Sequence, residues 1–502
     1  MPNVLVITSD QHNKAVLGCA GDAHVRTPNL DALAARGTRF DAAYTNNPIC
    51  MPARATLATG RYGHTMGTVD NGSPYVGDEA DSWGRRLGEQ GFQVPTFGKL
   101  HFDPEGDSGY DERLPLHAKR GYVGAVSGWA RGHVSPSDVL KNQVLLADIG
   151  EFEYTAYDQY TARSAAAWLS EEASRDHPWA AYVSFAYPHY PFLVPQQFVA
   201  GTTPGDIPLP SQWAQDQWPD HHELNWRRES MGLRDGLTEQ QLRQMRWIYY
   251  GMVGFLDHQV GVVLDALEAS GMAEDTIVIY SSDHGDMLGE KGMIMKSLMY
   301  ESSAGVPLIV AGPDVGEDVA LTTPVSLADV YPTVIDGVGG EFTEADGELP
   351  GTSLLVVARD EPDPDRVVFS EYHGPLSIGA SFMIRSGRWK YVDYCDDRSA
   401  PQLFDLESDP GEEADLGTSA DHAAIRAALD RELRTILDPE AVDREIRSAQ
   451  WEQLQHAGGL ERIRPRGPAP MALGGYSVPS EEIMEIVRAG LLERPDQLHR
   501  TK

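Results

Sequence analysis

Cysteine is scarce. The chain of 502 residues has three, Cys19, Cys50 and Cys395. Three thiols cannot build a disulfide framework, so the fold must rest on its core, and a reducing, cytoplasmic setting is expected. Long apolar runs are also missing. No segment approaches the roughly 20 residues that span a bilayer. The opening "MPNVLVITSD" reads as a strand, without the basic start and apolar centre of a leader. Positive charge is in short supply too: 41 Lys and Arg against 75 Asp and Glu leave a net charge of −34. Such a surface repels nucleic acid and anionic membranes, which excludes both as partners. It does not exclude an anionic small molecule, provided that the site gathers its own positive charge. No internal repeat is visible.

What is present is an ordinary globular composition, long enough for one large domain and a smaller one. Val4 to Thr8, "FQVPTFGK", "AAYVSFAY", "TIVIYSSD" and "VPLIVAG" are short apolar runs that predict strands. In "TPNLDALAARG", Pro28 follows Thr27 and Gly37 closes the periodic stretch, which predicts a helix with start and stop signals. The longest predicted helix runs from Thr238 to Ser270. Its Met245, Ile248, Tyr249, Met252, Phe255, Leu256, Val263 and Leu267 recur at three and four residues and form one apolar stripe for core packing. Strands alternating with helices predict an α/β fold with a mostly parallel sheet covered on both faces. After about residue 375 the texture changes. "FMIRSGRWKYVDYC" and "PQLFDLESDPGE" predict short antiparallel strands, and a helix from Ala423 to Leu437 follows. The expected division is a catalytic domain over 1–375, a C-terminal antiparallel-sheet-plus-helix subdomain over 376–465, and a tail over 466–502. The chain is Pro/Gly-rich from Arg464 to Leu473, and a terminal helix is expected near Ser480 to Leu491.

Sites in such folds lie beyond the carboxyl ends of strands. Two polar pairs occupy that place, Asp10-Gln11 and Asp283-His284. Two carboxylates, an amide oxygen and an imidazole could hold one divalent cation. The oxygens favour calcium or magnesium, and the imidazole tilts toward manganese or zinc. Either pair alone is more often an ordinary cap or turn. Cys50, in "NNPICMPARATLATGRY", is a buried packing residue, a thiol nucleophile or the raw material of a modification. A catalytic thiol needs a base and an electropositive pocket, and the neighbouring residues supply only Arg54, one helical turn on. Lys99 and His101 in "GKLHF" share one face if the segment is a strand. His189 in "YPHYPF" and Lys296 in "MIMKSLMYES" read, singly, as a loop residue and a surface residue.

The stretch "DQHNKAVLGCAGDAHVRTPNLDALAARGTRFDAAYTNNPICMPARATLATGRY" resembles the N-terminal part of type I sulfatases, including the Cys-x-Pro-x-Arg string at Cys50. "GKLHF", "YPHYPF", "SDHGDMLGEKG" and "WKYVDY…LFDLESDPGE" are similar to later blocks of that family, in the same order, so the resemblance spans nearly the whole chain. "GKLHF" followed by "GYDERL", with "VDNG" after the cysteine block, resembles choline-sulfatase-like members in particular. Phosphonate monoester and phosphodiester hydrolases of the same superfamily share several blocks and are the alternative.

The resemblance implies an alkaline-phosphatase-like fold, a large mixed, mostly parallel sheet sandwiched by helices. It implies a hydrolase that turns an organic sulfate monoester into alcohol and inorganic sulfate. Cys50 would be oxidised by a separate maturation enzyme to formylglycine, whose hydrate offers one hydroxyl for attack on sulfur and a second whose deprotonation expels sulfate. Asp10, Gln11, Asp283 and His284, with position 50, would hold one divalent cation. Arg54 would steady the hydrate and the carboxylates. Lys99 would reach the nucleophile, and His101 resembles the base. His189 and Lys296 resemble the pair that grips sulfate and protonates the leaving oxygen, and Asn71 resembles an asparagine that touches the transferred group. Many arylsulfatases carry Asp-Asp where this chain has Asp10-Gln11, and Asp-Asn where it has Asp283-His284. The expected ion is calcium, with manganese second. Trp129 is the one candidate for an aromatic cage around a quaternary ammonium. With no convincing counterpart of the choline-sulfatase tail, the expectation stops at an organic sulfate ester. A homo-oligomer is left open.

Overall fold

The computed structural model describes residues 1–118, 129–132, 139–174, 176–462 and 478–479. Its centre is a nine-stranded sheet. The order across it is Val319–Leu321, Gly37–Phe40, Leu308–Ala311, Thr276–Ser282, Asn3–Ser9, Ala180–Ser184, Pro95–Lys99, Asp111–His117 and Val478–Pro479. The five strands from Thr276–Ser282 to Asp111–His117 are mutually parallel. Leu308–Ala311 runs against both of its neighbours, and the edge strand Val478–Pro479 is also antiparallel, so the sheet is mixed and mostly parallel.

Asn3–Ser9 is buried along its whole length, as a strand covered on both faces must be. Its alternate residues feed two separate cores. Leu5 and Ile7 pack with the stripe of the helix Glu239–Ser270, while Val4 and Val6 pack with Ala53 and Leu57 of the helix Cys50–Thr59 and with Val330 and Val334. The long helix begins where Thr238 accepts the Gln241 N–H, with the Gln241 side chain bonding back, and it stops at Gly271, whose φ of 74° suits glycine. No helix among the described residues is long and apolar enough to cross a membrane.

A separate four-stranded antiparallel sheet is built in chain order from Val368–Tyr372, Ser381–Ser386, Trp389–Tyr394 and Gln402–Asp405. Its first strand lies before residue 376, upstream of the expected boundary. Leu429 and Leu433 of the helix Ala423–Ile436 pack on Phe382, Ile384, Tyr391 and Leu403. Sequence reasoning did not anticipate the next helix, Pro439–His456. It starts from Asp438, which accepts the Ala441 N–H at 2.9 Å, and from Pro439 at its first position. Fully buried Lys390 of this sheet pairs with Glu301, at the start of the short helix Glu301–Ala304, at 2.9 Å and with Glu412 at 2.8 Å. The Pro/Gly-rich stretch Arg464 to Leu473 and the expected helix Ser480 to Leu491 lie outside the described residues.

Candidate functional site

Strand register assembles the site. Ser9 stands opposite Ser282, Thr8 opposite Ser184, and Gly98 opposite Ser184. The residues that follow, Asp10, Asp283 and the pair Lys99 and His101, therefore leave the sheet at one level. Cys50 is brought to the same level as the first residue of the buried helix Cys50–Thr59. Ile49 before it is extended, with φ −153°, and caps the helix without a side-chain bond.

Arg54, one turn along that helix and 1% exposed, binds the strand ends together. It donates from Nε to Asp283 Oδ2 at 3.0 Å, from Nη2 to Asp10 Oδ2 at 3.2 Å, and from Nη1 to the Lys99 carbonyl at 2.6 Å and Ser184 Oγ at 2.7 Å. Lys99 Nζ lies 2.6 Å from Asp10 Oδ2. Lys296 Nζ lies 3.4 Å from Cys50 Sγ and donates to Gln11 Oε1 at 2.6 Å. The Gln11 carboxamide in turn donates to Asp286 Oδ2 at 2.5 Å, and its backbone N–H to Asp283 Oδ1 at 3.1 Å. His284 Nε2 is 3.3 Å from Cys50 Sγ and 3.5 Å from Asp283 Oδ1. Asn71 accepts the Met51 N–H at 3.1 Å, one residue from Cys50. His189 stacks on Tyr190 at 4.1 Å between centroids, and the Lys296 ammonium lies 5.6 Å from the same ring. The structure thus gathers Asp10, Gln11, Cys50, Arg54, Lys99, Asp283, His284 and Lys296 into one web of direct contacts, with Asn71 and His189 at its rim. His101, at φ 59°, is buried just beyond Lys99.

The electrostatics are those of a buried anion trap. Burial opposes ionisation of Asp10, but Lys99, His189, Lys296 and Arg54 outweigh it and hold the carboxyl well below the usual carboxylate range. Burial and the neighbouring Asp10 push Asp283 the other way, up. Burial drives His284 down to about 4, and drives His101 and His189 well below the ordinary imidazole range with help from Lys99 and Lys296 respectively. Burial alone would discharge Lys296, yet Cys50, Asp10 and Asp283 keep its pKa raised.

The donor set fits a divalent cation. One ligand atom from each of Asp10, Cys50, Asp283 and His284 lies within 4.8 Å of all the others. The Nδ1 of His284 faces the Gly285 carbonyl at 3.0 Å, and a carbonyl only accepts, so Nδ1 carries the proton. The lone pair is then on Nε2, aimed into the cluster, as a metal ligand requires. Two carboxylates beside a neutral imidazole suit a hard or borderline divalent ion.

Several residues of the web were not foreseen. Ser184 supports Arg54, and Asp286, inside the quoted "SDHGD", orients Gln11. Asp158 is fully buried and accepts the N–H groups of Ala186 and Tyr187, fixing the start of the loop that carries His189. A carboxylate in the middle of the helix Glu153–Glu171 gives no local sign of such a task. Trp129 lies against Gly72, next to Asn71: a Cβ on Gly72 would come within 2.3 Å of its Nε1.

The chain is similar to known proteins over most of its length. The family model described as "Sulfatase" matches residues 2–340, and a model described as "N-sulphoglucosamine sulphohydrolase, C-terminal" matches residues 289–438. Over 477 residues the chain is 32% identical to the choline-sulfatase of Rhizobium meliloti, with 89% of each chain covered. It is 28% identical over 479 residues to arylsulfatase K of Bos taurus, covering 90% of this chain and 84% of the relative. Among solved structures, the phosphonate monoester hydrolase of Agrobacterium radiobacter superposes with a TM-score of 0.69 at 26% identity, over 90% of this chain and 96% of the other.

Proposed function

The chain belongs to the sulfatase family and is a sulfuric ester hydrolase, and we propose that it releases inorganic sulfate from an organic sulfate monoester by way of a formylglycine made from Cys50. The observation that carries this reading is the convergence of Asp10, Asp283, His284 and Lys296 on the Cys50 side chain. Asp10, Asp283 and His284, with Gln11 and position 50, would hold one divalent cation, calcium in preference to manganese. When bound, such an ion lowers the pKa of an oxygen ligand and draws charge from a sulfate oxygen. When formed, the hydrated aldehyde provides one hydroxyl to attack sulfur and another whose proton loss lets sulfate depart with C–O cleavage.

The chain's own residues do the rest. Arg54 holds both carboxylates and keeps them from repelling each other. Lys99, Lys296 and Arg54 supply the positive charge that a sulfate ester needs inside an acidic protein. Burial and Lys99 depress the pKa of His101, which favours the neutral imidazole that a proton acceptor for the spare hydroxyl requires. Lys296, whose pKa is kept raised, would stabilise the departing alkoxide. His189 Nδ1 donates to the Tyr190 carbonyl at 2.6 Å, which leaves the lone pair on Nε2, and an arriving sulfate would raise its pKa toward the charged form. Asn71, held by the Met51 N–H, would touch the transferred group.

Conversion of Cys50 requires a maturation enzyme that reads Cys-x-Pro-x-Arg, and that enzyme is the one macromolecular partner proposed. A cytoplasmic location is part of the proposal, supported by three unpaired cysteines. A second reading, hydrolysis of phosphonate monoesters or phosphodiesters by the same groups, draws support from the likeness to the Agrobacterium enzyme. Steady-state rates on p-nitrophenyl sulfate and p-nitrophenyl phenylphosphonate separate the two. The first reading expects the larger kcat/KM on the sulfate and loss of that activity on chelation. A larger value on the phosphonate would overturn it.

A further inference from the structure

Asp286 closes the stretch "SDHGD" and is buried. Its carboxylate joins parts of the site that are far apart in the chain. Oδ1 accepts the backbone N–H groups of Leu288 at 2.8 Å and Met295 at 2.9 Å, and Oδ2 accepts the Gln11 carboxamide at 2.5 Å. The residue after Met295 is Lys296, whose ammonium returns to Gln11 Oε1 at 2.6 Å and lies 3.4 Å from Cys50 Sγ. A closed ring results, from Asp286 to Met295, along the chain to Lys296, across to Gln11 and back to Asp286.

The order of donors and acceptors in this ring follows from their chemistry. A carboxylate only accepts and an ammonium only donates. The Gln11 carboxamide between them therefore fits one way round, its NH2 toward Asp286 and its oxygen toward Lys296. An amide at position 286 would break that order. Its oxygen could still serve the two backbone N–H groups, but its own NH2 would then face Gln11. If Gln11 turned its oxygen to meet that NH2, its own NH2 would meet the Lys296 ammonium. Asp10 Oδ1, at 4.0 Å, is too far to replace the lost hydrogen bond.

The backbone on either side of Lys296 also has to be held. Met295 has φ 63° and Ser297 φ 81°, left-handed values that disfavour residues with a side chain. Such conformations persist where the surroundings impose them. Asp286 holds the Met295 N–H on one side. On the other, the carbonyl of Pro48, two residues before Cys50, accepts the Ser297 N–H at 3.0 Å. Gln11, at φ 72°, is held likewise, since its carbonyl accepts the Tyr249 hydroxyl at 2.6 Å.

We propose that Asp286 is a positioning residue for Lys296: it sets which way the Gln11 carboxamide faces and, through the Met295 N–H, holds the ammonium against position 50. It would govern departure of the alcohol while acting only through Gln11 and Lys296. The inference rests on the sulfatase reading only where it gives Lys296 the leaving oxygen. Gln11 is also one of the proposed cation ligands, so the test separates an effect through Lys296 from one through the ion.

The first arm uses the full chain, matured at Cys50, with aryl sulfates whose leaving phenols range from p-nitrophenol to phenol. Asp286→Asn should lower kcat/KM on phenyl sulfate by about 10- to 100-fold, through kcat, and lower it less on p-nitrophenyl sulfate. In a Lys296→Met background the same substitution should cost less than about twofold, because its target is gone. A loss of equal size on every ester, or an undiminished loss beside Lys296→Met, would place the effect in the ion or the fold and overturn the proposal. The second arm needs no turnover and uses the unmatured full chain in chelator. Asp286→Asn and Gln11→Glu should each lower the urea midpoint, the first by opposing donors and the second by opposing carboxylates. The exchange Gln11→Glu/Asp286→Asn again sets a donor against an acceptor and leaves a carboxylate oxygen for Lys296. Its midpoint should rise above that of either single variant. Additive losses, or an exchanged protein that does not fold, would overturn the ring. Recovery of the midpoint in a chain whose matured form hydrolyses no sulfate ester would support the ring and refute the sulfatase reading.

Discussion

Replacing Arg54 with Ala should expose how the strand ends are held together. The guanidinium is buried and satisfies Asp283, Asp10, the Lys99 carbonyl and Ser184 at once. Its four bonds share one group and are not additive, so a per-bond sum would overshoot. Removing one partner of a buried ion pair costs about 3–5 kcal/mol, because the other charge is left uncompensated. Asp10 keeps Lys99 at 2.6 Å, whereas Asp283 keeps the Gln11 N–H at 3.1 Å and the neutral His284 at 3.5 Å but no cation among the described residues, so most of the loss should fall on Asp283. Urea unfolding in chelator, followed by tryptophan fluorescence, should show a loss in that range for Arg54→Ala. Excess calcium should return part of it, since an ion bound only to the folded state at 100 times its Kd adds about 2.7 kcal/mol. A loss below about 1 kcal/mol would mean that the guanidinium does not neutralise the carboxylates. An identical loss with and without calcium would refute the placement of the ion between Asp10 and Asp283.

Cys50→Ala should abolish sulfate release while leaving the circular dichroism spectrum unchanged; release at the parent rate contradicts the mechanism. Lys296→Met should lower kcat/KM by about 10²–10⁴, with a greater effect on alkyl sulfates than on p-nitrophenyl sulfate, and an equal effect on both would show that Lys296 does not serve the leaving oxygen. Burial pushes Asp158 up to about 7, against the two N–H bonds that favour its ionised form. The folded state therefore holds that proton more tightly than the unfolded chain, whose carboxyl titrates near about 4, so this residue makes stability fall as pH rises from about 4 to about 7 and then level off. Asp158→Asn should flatten that part of the stability profile, and an unchanged slope would remove Asp158 as its source.

The strand ends were legible because a parallel strand buried on both faces is a short apolar run, and Asp10 and Asp283 each follow one directly. Arg54 was legible from its helical spacing to Cys50, and the place of Lys296 beside Cys50 only from the family resemblance, since its neighbours are 246 residues away along the chain at Cys50 and 285 at Gln11. The direction of Leu308–Ala311 was not legible: an apolar run looks the same read either way, and only its partners decide. The helix Pro439–His456 escaped notice because it buries little besides Pro439, Asp443, Gln450 and Leu454, too sparse a stripe to read as periodic. Its start signal, Asp438 before Pro439, was visible. Asp158 and Ser184 act through backbone groups and a guanidinium brought near by the fold, which no local pattern records.

The central claim concerns the side chain at position 50. The decisive measurement is mass spectrometry of the peptide containing Cys50 after expression beside the maturation enzyme, scored together with sulfate release by the same sample. Oxidation of the thiol to an aldehyde lowers the peptide mass by about 18 Da, and activity should scale with the converted fraction. Full activity from a sample in which Cys50 remains an unmodified thiol would contradict the account.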